Sequence, residues 1–157
     1  MGTRIVKLIN RLKNVRRIFL DTAPVIYYVE KNPAYLAKVK PVFTQIDAGV
    51  LTAVTSPITL SECLVHPYRL QHLDGIAKFR DLIVSGSNVN FVLLDDAIAD
   101  KAAELRALYN LTLPDAFQAA TALRAGCSTF LTNDPILRRV PGLDIIVIDE
   151  IELADAP

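Results

Sequence analysis

Four acidic residues carry the chemistry this sequence offers: Asp21, Glu62, Asp115 and Asp134. Asp21 closes the apolar run Arg17-Ile-Phe-Leu, and Asp134 follows Ser128-Thr-Phe-Leu131 after Thr132-Asn133. Asp115 opens an Ala-rich stretch, and Glu62 lies between Leu60 and Leu64 in a helical stretch. Singly, three of them have structural readings. Asp21 and Asp115 are residue types that cap helices, and Asp134 before Pro135 suits an Asx turn. Glu62 has no such purpose. Gathered in one pocket, four carboxylates repel, so either some take up protons or a cation sits among them. Oxygen-only ligands select Mg2+ or Mn2+ over zinc or copper. Such an ion activates a bound water and neutralises a phosphate oxygen, which is a phosphodiester hydrolase in outline.

Gathering them requires a sheet. Residues 17–21 read as a strand that presents Asp21, followed by a helix to Glu30 that Thr22 is placed to cap. Leu36, Val39, Val42, Phe43 and Ile46 mark a second helix, with a kink or break expected at Pro41 and a stop at Gly49. Residues 51–55 are strand 2. Ser56-Pro57 opens the helix that carries Glu62 and is expected to stop near His66-Pro67. Ile76, Phe79, Leu82 and Ile83 form a stripe on another helix, ended by Gly86. Residues 90–94 are strand 3, and Asp95 or Asp96 caps a helix that buries Ile98, Ala102, Leu105 and Tyr109. Asp115–Leu123 is a compact helix ended by Gly126. Strand 4 is 128–131, strand 5 is 143–149, and a frayed tail follows. Strands alternating with helices predict an α/β fold, a mainly parallel sheet of about five strands flanked by helices. Strand C-termini then share one edge, where open α/β sheets bind ligands.

The chain of 157 residues, 52% hydrophobic, is the size of one domain with one core. No apolar run spans a bilayer and no h-region follows the basic N-terminus, so the expected location is cytoplasmic. Cys63 and Cys127 read as free core thiols, and with His66 and His72 they supply no zinc ligand set. The net charge of zero conceals an asymmetry: residues 1–20 hold Arg4, Lys7, Arg11, Lys13, Arg16 and Arg17 and no acid, leaving 11 of the 17 basic residues against all 17 acids elsewhere. Ile5, Leu8, Ile9, Leu12 and Val15 recur at helical spacing among those basic residues. This predicts a basic amphipathic helical extension over 1–16, ahead of a domain over 17–157. Its apolar stripe is expected to pack as an ordinary surface helix; a phosphate-binding arm and a mitochondrial presequence are the alternatives, in that order.

The pieces Phe19-Leu20-Asp21-Thr22, Ser61-Glu62, Leu113-Pro114-Asp115-Ala116 and Leu131-Thr132-Asn133-Asp134, in this order and at these separations, resemble the PIN-domain ribonucleases, most closely the toxins of VapBC-type toxin–antitoxin pairs. The likeness runs from about Arg17 to Asp149. It implies a metal-dependent endoribonuclease acting on single-stranded RNA by in-line attack of a metal-activated water. It makes Asp21, Glu62, Asp115 and Asp134 the acidic quartet around Mg2+ or Mn2+. Thr22, Thr132 and Asn133 become supporting residues. It also implies a homodimer and an antitoxin protein whose segment fills the acidic groove. The basic extension departs from the family's usual short N-terminus. Arg69, Arg124, Arg138 and Arg139 are candidate RNA contacts outside any motif, each read first as solvated surface charge. His66 is read as a helix-end histidine, and Tyr27 and Tyr28 as core or dimer-interface residues. A catalytically silent PIN-like RNA- or protein-binding scaffold is the alternative function. A haloacid-dehalogenase-type phosphatase would want a second Asp two residues after Asp21, where this chain has Ala23.

Overall fold

A computed structural model describes residues 3–153 of the chain. Residues 1–2 and the tail expected to fray beyond 153 lie outside the described residues, as do the side chains of residues 3–6, Arg4 and Ile5 among them. Five strands form one sheet: β1 (Arg17–Leu20), β2 (Thr52–Thr55), β3 (Val89–Phe91), β4 (Thr129–Thr132) and β5 (Asp144–Val147). All pairings are parallel, and the spatial order is β3-β2-β1-β4-β5. The helices are α1 (Thr3–Leu12), α2 (Thr22–Val29), α3 (Leu36–Asp47), α4 (Pro57–Arg69), α5 (Leu73–Ser85), α6 (Asp96–Tyr109) and α7 (Leu113–Arg124).

Period-two alternation sends successive strand residues to opposite faces. Ile18, Leu20, Ala53, Leu131 and Ile146 face a core layer completed by α1–α5, which contribute Leu8, Val25, Phe43, Cys63 and Phe79 among others. Phe19, Val54, Phe130, Ile145 and Val147 face a second layer closed by the Ala-rich α7 and by α6. In register at the centre, Phe19 and Phe130 stack with ring centroids 4.9 Å apart. The chain runs outward through β1, β2 and β3, then returns to the far side of β1 for β4 and β5. That reversal leaves a crevice at the C-terminal ends of β1 and β4, the place where such sheets bind ligands.

The interruption expected at Pro41 does not occur, and the helix expected to stop near His66-Pro67 extends two residues further, to Arg69. α3 runs continuously through Pro41 and α4 through Pro67. An interior proline costs about 3 kcal/mol. Val39, Val42, Phe43 and Ile46 are all at most 1% exposed, and burying each such side chain is worth roughly 1.5–3 kcal/mol, so burial wins. Pro67 is itself buried, with Cys63 and Leu64 on the same helix. Strand 3 is shorter than expected, and strand 5 gives way at Ile148 to a 3-10 turn over Ile148–Glu150. Both cysteines are buried free thiols. No helix among the described residues is long and apolar enough to cross a membrane.

The N-terminal helix packs rather than projects. Leu8 and Leu12 are 4% and 1% exposed and join the core layer that also holds Ile148 and Ile151. Arg11 adds an exposed ion pair to Asp144 at 2.6 Å and donates to the Ile145 carbonyl at 3.3 Å. Exposed pairs are worth little, so apolar burial holds this helix. Leu12→Ala is therefore expected to cost about 2–5 kcal/mol in urea unfolding monitored by circular dichroism, whereas Arg11→Ala costs under about 1 kcal/mol.

Candidate active site

Asp21 is the first residue beyond β1, and its N–H donates to the Leu131 carbonyl at 3.0 Å, which carries the β1–β4 ladder one step further. It, not Thr22, caps α2: its Oδ1 accepts from the Thr22 N–H at 2.9 Å. Oδ2 accepts from the Thr132 hydroxyl at 2.7 Å. That hydroxyl oxygen also accepts from the Asp134 N–H at 3.0 Å, so one threonine at the end of β4 sets both acidic positions. Asp134 caps a 3-10 helix over Pro135–Arg139 through the Ile136 N–H at 3.0 Å. The structural readings of Asp21 and Asp134 are thus correct as far as they go. Neither cap uses all the acceptor capacity of its carboxylate.

Thr22 has a different task from the one expected of it. Its hydroxyl donates to Glu62 Oε1 at 2.7 Å and ties α2 to α4. Asp115 lies in the first turn of α7, two residues later than a helix beginning at Leu113 requires of its start. The cap is Thr112, whose hydroxyl accepts from the Asp115 N–H at 3.4 Å. Asn133 donates to the Tyr27 hydroxyl at 3.1 Å and accepts from the Asp149 N–H at 2.8 Å, fixing the loop after β4. Tyr27 stacks on Tyr35, and Tyr28 stacks on Phe43 inside the core.

Asp21, Glu62, Asp115 and Asp134 line one open cleft of about 440 Å³, together with Thr22, Thr132 and Asn133. Residues separated by more than a hundred positions therefore share one crevice at the sheet's reversal point. Among the described residues that line it, none is Lys, Arg or His. Burial pushes the Asp21 carboxyl above the ordinary carboxylate range, against the pull of its hydrogen bonds to Thr132, Thr22 and Gln118, and the negative charge of Glu62 adds to the push. Asp115 is likewise raised, first by burial and then by Asp21 and Asp134, against a hydrogen bond from Thr112.

The donor set fits a hard divalent cation: all oxygen, net negative, and with no cationic side chain lining the cleft to neutralise it. Among the described residues no three His, Cys, Asp or Glu side chains stand grouped as a ready ligand set. Thr22 holds Glu62, and Thr132 holds Asp21. The fit is therefore to Mg2+ or Mn2+ held by one or two carboxylates with water completing the shell, the usual manner of Mg2+, rather than to a cage of four direct ligands.

Other candidates lie elsewhere. His66 is exposed one helical turn beyond Glu62 and lines a neighbouring cleft with Lys31 and Lys78. Arg138 makes a two-pronged pair with Glu150 at 2.6 and 2.7 Å. Arg139 donates to the carbonyls of Tyr109 and Asn110. Arg124 lines a separate pocket with Arg17, and Arg69 is an exposed residue at the end of α4. The sequence reading passed over Gln118. It is 1% exposed, accepts from Ser56, donates to Thr59 at 2.8 Å and reaches Asp21 at 3.5 Å. The signal was present: an amide amid alanines, one helical turn after Asp115.

The PIN domain family model matches residues 18–143. The chain belongs to the PIN domain family. Among solved structures it is similar to VapBC2 from Rickettsia felis bound to a promoter DNA fragment, with 18% identity, 83% of this chain and 98% of that chain covered, and a TM-score of 0.65. A toxin–antitoxin complex from Klebsiella pneumoniae matches with 22% identity, 83% and 96% coverage and a TM-score of 0.63. VapC20 from Mycobacterium tuberculosis, a sarcin–ricin loop cleaving toxin, matches with 19% identity, 72% and 86% coverage and a TM-score of 0.58. No curated protein matches the sequence.

A carboxyl raised by burial binds its proton more tightly in the folded chain than in the unfolded one. Asp21 therefore costs stability progressively as pH climbs from the ordinary carboxylate range through its raised folded value, and the cost is full above that. In chelator, Asp21→Asn should melt above wild type at pH 7, with the gap closing towards pH 4. Each kcal/mol corresponds to roughly 2–4 °C in a domain of this size. Added Mn2+ should raise the wild-type melting temperature and leave that of Asp21→Asn unmoved. Differential scanning fluorimetry across pH reads both.

Proposed function

We propose that this chain is a Mg2+- or Mn2+-dependent endoribonuclease, the cytoplasmic toxin of a toxin–antitoxin pair, acting as a homodimer. The observation that carries the proposal is the convergence of Asp21, Glu62, Asp115 and Asp134 on one cleft whose lining, among the described residues, holds no cationic side chain. Membership of the PIN domain family supports the nuclease reading. The sarcin–ricin loop cleaving activity of VapC20 supports RNA as substrate, and the R. felis and K. pneumoniae complexes support an antitoxin partner.

Asp21 and Asp115 are the primary metal-holding residues, with Asp134 and Glu62 completing the negative field. A bound Mg2+ or Mn2+ supplies Lewis-acid stabilisation of phosphate charge and a more acidic water. The chain's own contribution is to keep the donors still. Thr132 fixes one oxygen of Asp21 and the backbone of Asp134, while Thr22 aims Glu62. Without the cation this cleft repels a polyanion, so RNA and metal are expected to bind together.

Asp21→Asn and Asp115→Asn should each lower Mn2+-dependent cleavage of single-stranded RNA by more than about 100-fold, beyond the usual loss from an outer-shell change, with the circular dichroism spectrum preserved. Cleavage that survives both substitutions overturns the assignment. Absence of Mn2+ binding at millimolar concentration, with no cleavage of several RNAs, would favour instead a catalytically silent RNA- or protein-binding scaffold.

A further inference from the structure

Gln118 projects from α7 between two buried hydroxyls, those of Ser56 and Thr59, and the half-buried carboxylate of Asp21 at the cleft. Ser56 and Thr59 are 0% exposed and Gln118 is 1% exposed. The network leaves the amide one orientation. Ser56 Oγ accepts from the N–H groups of Ile58 and Thr59 at 3.1 and 3.3 Å, capping α4. Its proton is then free to donate, and its partner is Gln118 Oε1. A hydroxyl has one proton, and an amide oxygen only accepts. The opposite end of the amide must therefore be the donor. Its two N–H bonds point to Thr59 Oγ1 at 2.8 Å and to Asp21 Oδ1 at 3.5 Å. Thr59 in turn donates to the Leu20 carbonyl at 3.2 Å, at the end of β1. A flipped amide would aim its oxygen at the Asp21 carboxylate and set Ser56 against an N–H that cannot accept.

This chain of bonds spans three elements that carry cleft carboxylates: α4 with Glu62, α7 with Asp115, and the end of β1 with Asp21. Asp21 Oδ1 receives Thr22 N–H and Gln118, while Oδ2 receives only Thr132. Oδ2 therefore keeps more unused acceptor capacity than Oδ1. We infer that Gln118 is a positioning residue. With its amide locked by Ser56 and Thr59, it turns the Asp21 carboxylate so that Oδ2 is presented to a divalent cation, and it thereby sets metal affinity. The inference rests on the metal-dependent reading proposed above.

Isothermal titration of the full-length protein with Mn2+ tests it. Gln118→Met keeps the volume and removes the donor. Its Mn2+ affinity should fall by about 10–100-fold, the usual cost of losing an outer-shell partner. Thr121→Val is the control: Thr121 is equally buried on the same helix, but its hydroxyl donates to the Phe117 carbonyl and not to the cleft. It should lose stability while keeping wild-type affinity. Ser56→Ala leaves Gln118 in place but unlocks its amide, and should weaken Mn2+ binding in the same direction by several-fold, which keeps the question decidable if Gln118→Met does not fold. Wild-type affinity in folded Gln118→Met or Ser56→Ala, or an equal loss in Thr121→Val, overturns the role of Gln118 alone. Wild-type protein that takes up no Mn2+ at millimolar concentration removes the metal reading and this inference together.

Discussion

A carboxylate at the end of the central strand, desolvated and without a cationic partner among the described residues, is the constraint on which the remainder of this molecule turns. Burying Asp21 raises its proton affinity, and neighbouring acids raise it further. Such a group is tolerated only where polar donors satisfy it. The chain supplies a backbone N–H, a hydroxyl and an amide from three separate elements. Each side-chain donor has a further bond of its own: the Thr132 hydroxyl also receives the Asp134 N–H, and the Gln118 amide is held by Ser56 and Thr59. What looks like an extended polar network under the sheet edge is the consequence of placing one negative charge there.

The sheet makes that placement inevitable. Parallel strands with helices on both faces bury their side chains above and below, so polar function is displaced to the strand ends. The order β3-β2-β1-β4-β5 puts the chain's reversal beside β1, so the loops after β1 and β4 diverge and leave room between them. Stacked Phe19 and Phe130, fully buried and in register, hold these two strands in the alignment that brings Asp21 opposite Thr132.

Much of this was legible in the residues. Four-residue apolar runs ended by Asp, and helical stripes between Gly or Pro punctuation, carry local information, and local information fixes strands and helices well. The four acids at like positions pointed to one edge. Pro41 does not interrupt α3 and Pro67 does not stop α4, because a local breaking signal competes with burial on the inner face, and burial is a property of the assembled core. Two cap readings, Thr22 and Asp115, lie one and three residues from the true caps Asp21 and Thr112 for a related reason. Asp21 and Thr22 are both good capping types, and only the route of the hydroxyl to Glu62 decides between them. Gln118 was overlooked because a glutamine in a helix ordinarily faces water. Its purpose exists only once Ser56 and Asp21, distant in the chain, are brought beside it.

The hydroxyl that steadies Asp21 belongs to a residue 111 positions further along the chain, and the N-terminal helix beds into a layer that includes Ile148 and Ile151. Ribosomes deliver a chain from its N-terminus at roughly 5–20 residues per second. The strand at the centre of the sheet therefore emerges before the fourth and fifth strands, and the cleft cannot assemble until the chain through β4 has been released. A nascent fragment that stops short of β4 consequently lacks the hydroxyl that steadies Asp21.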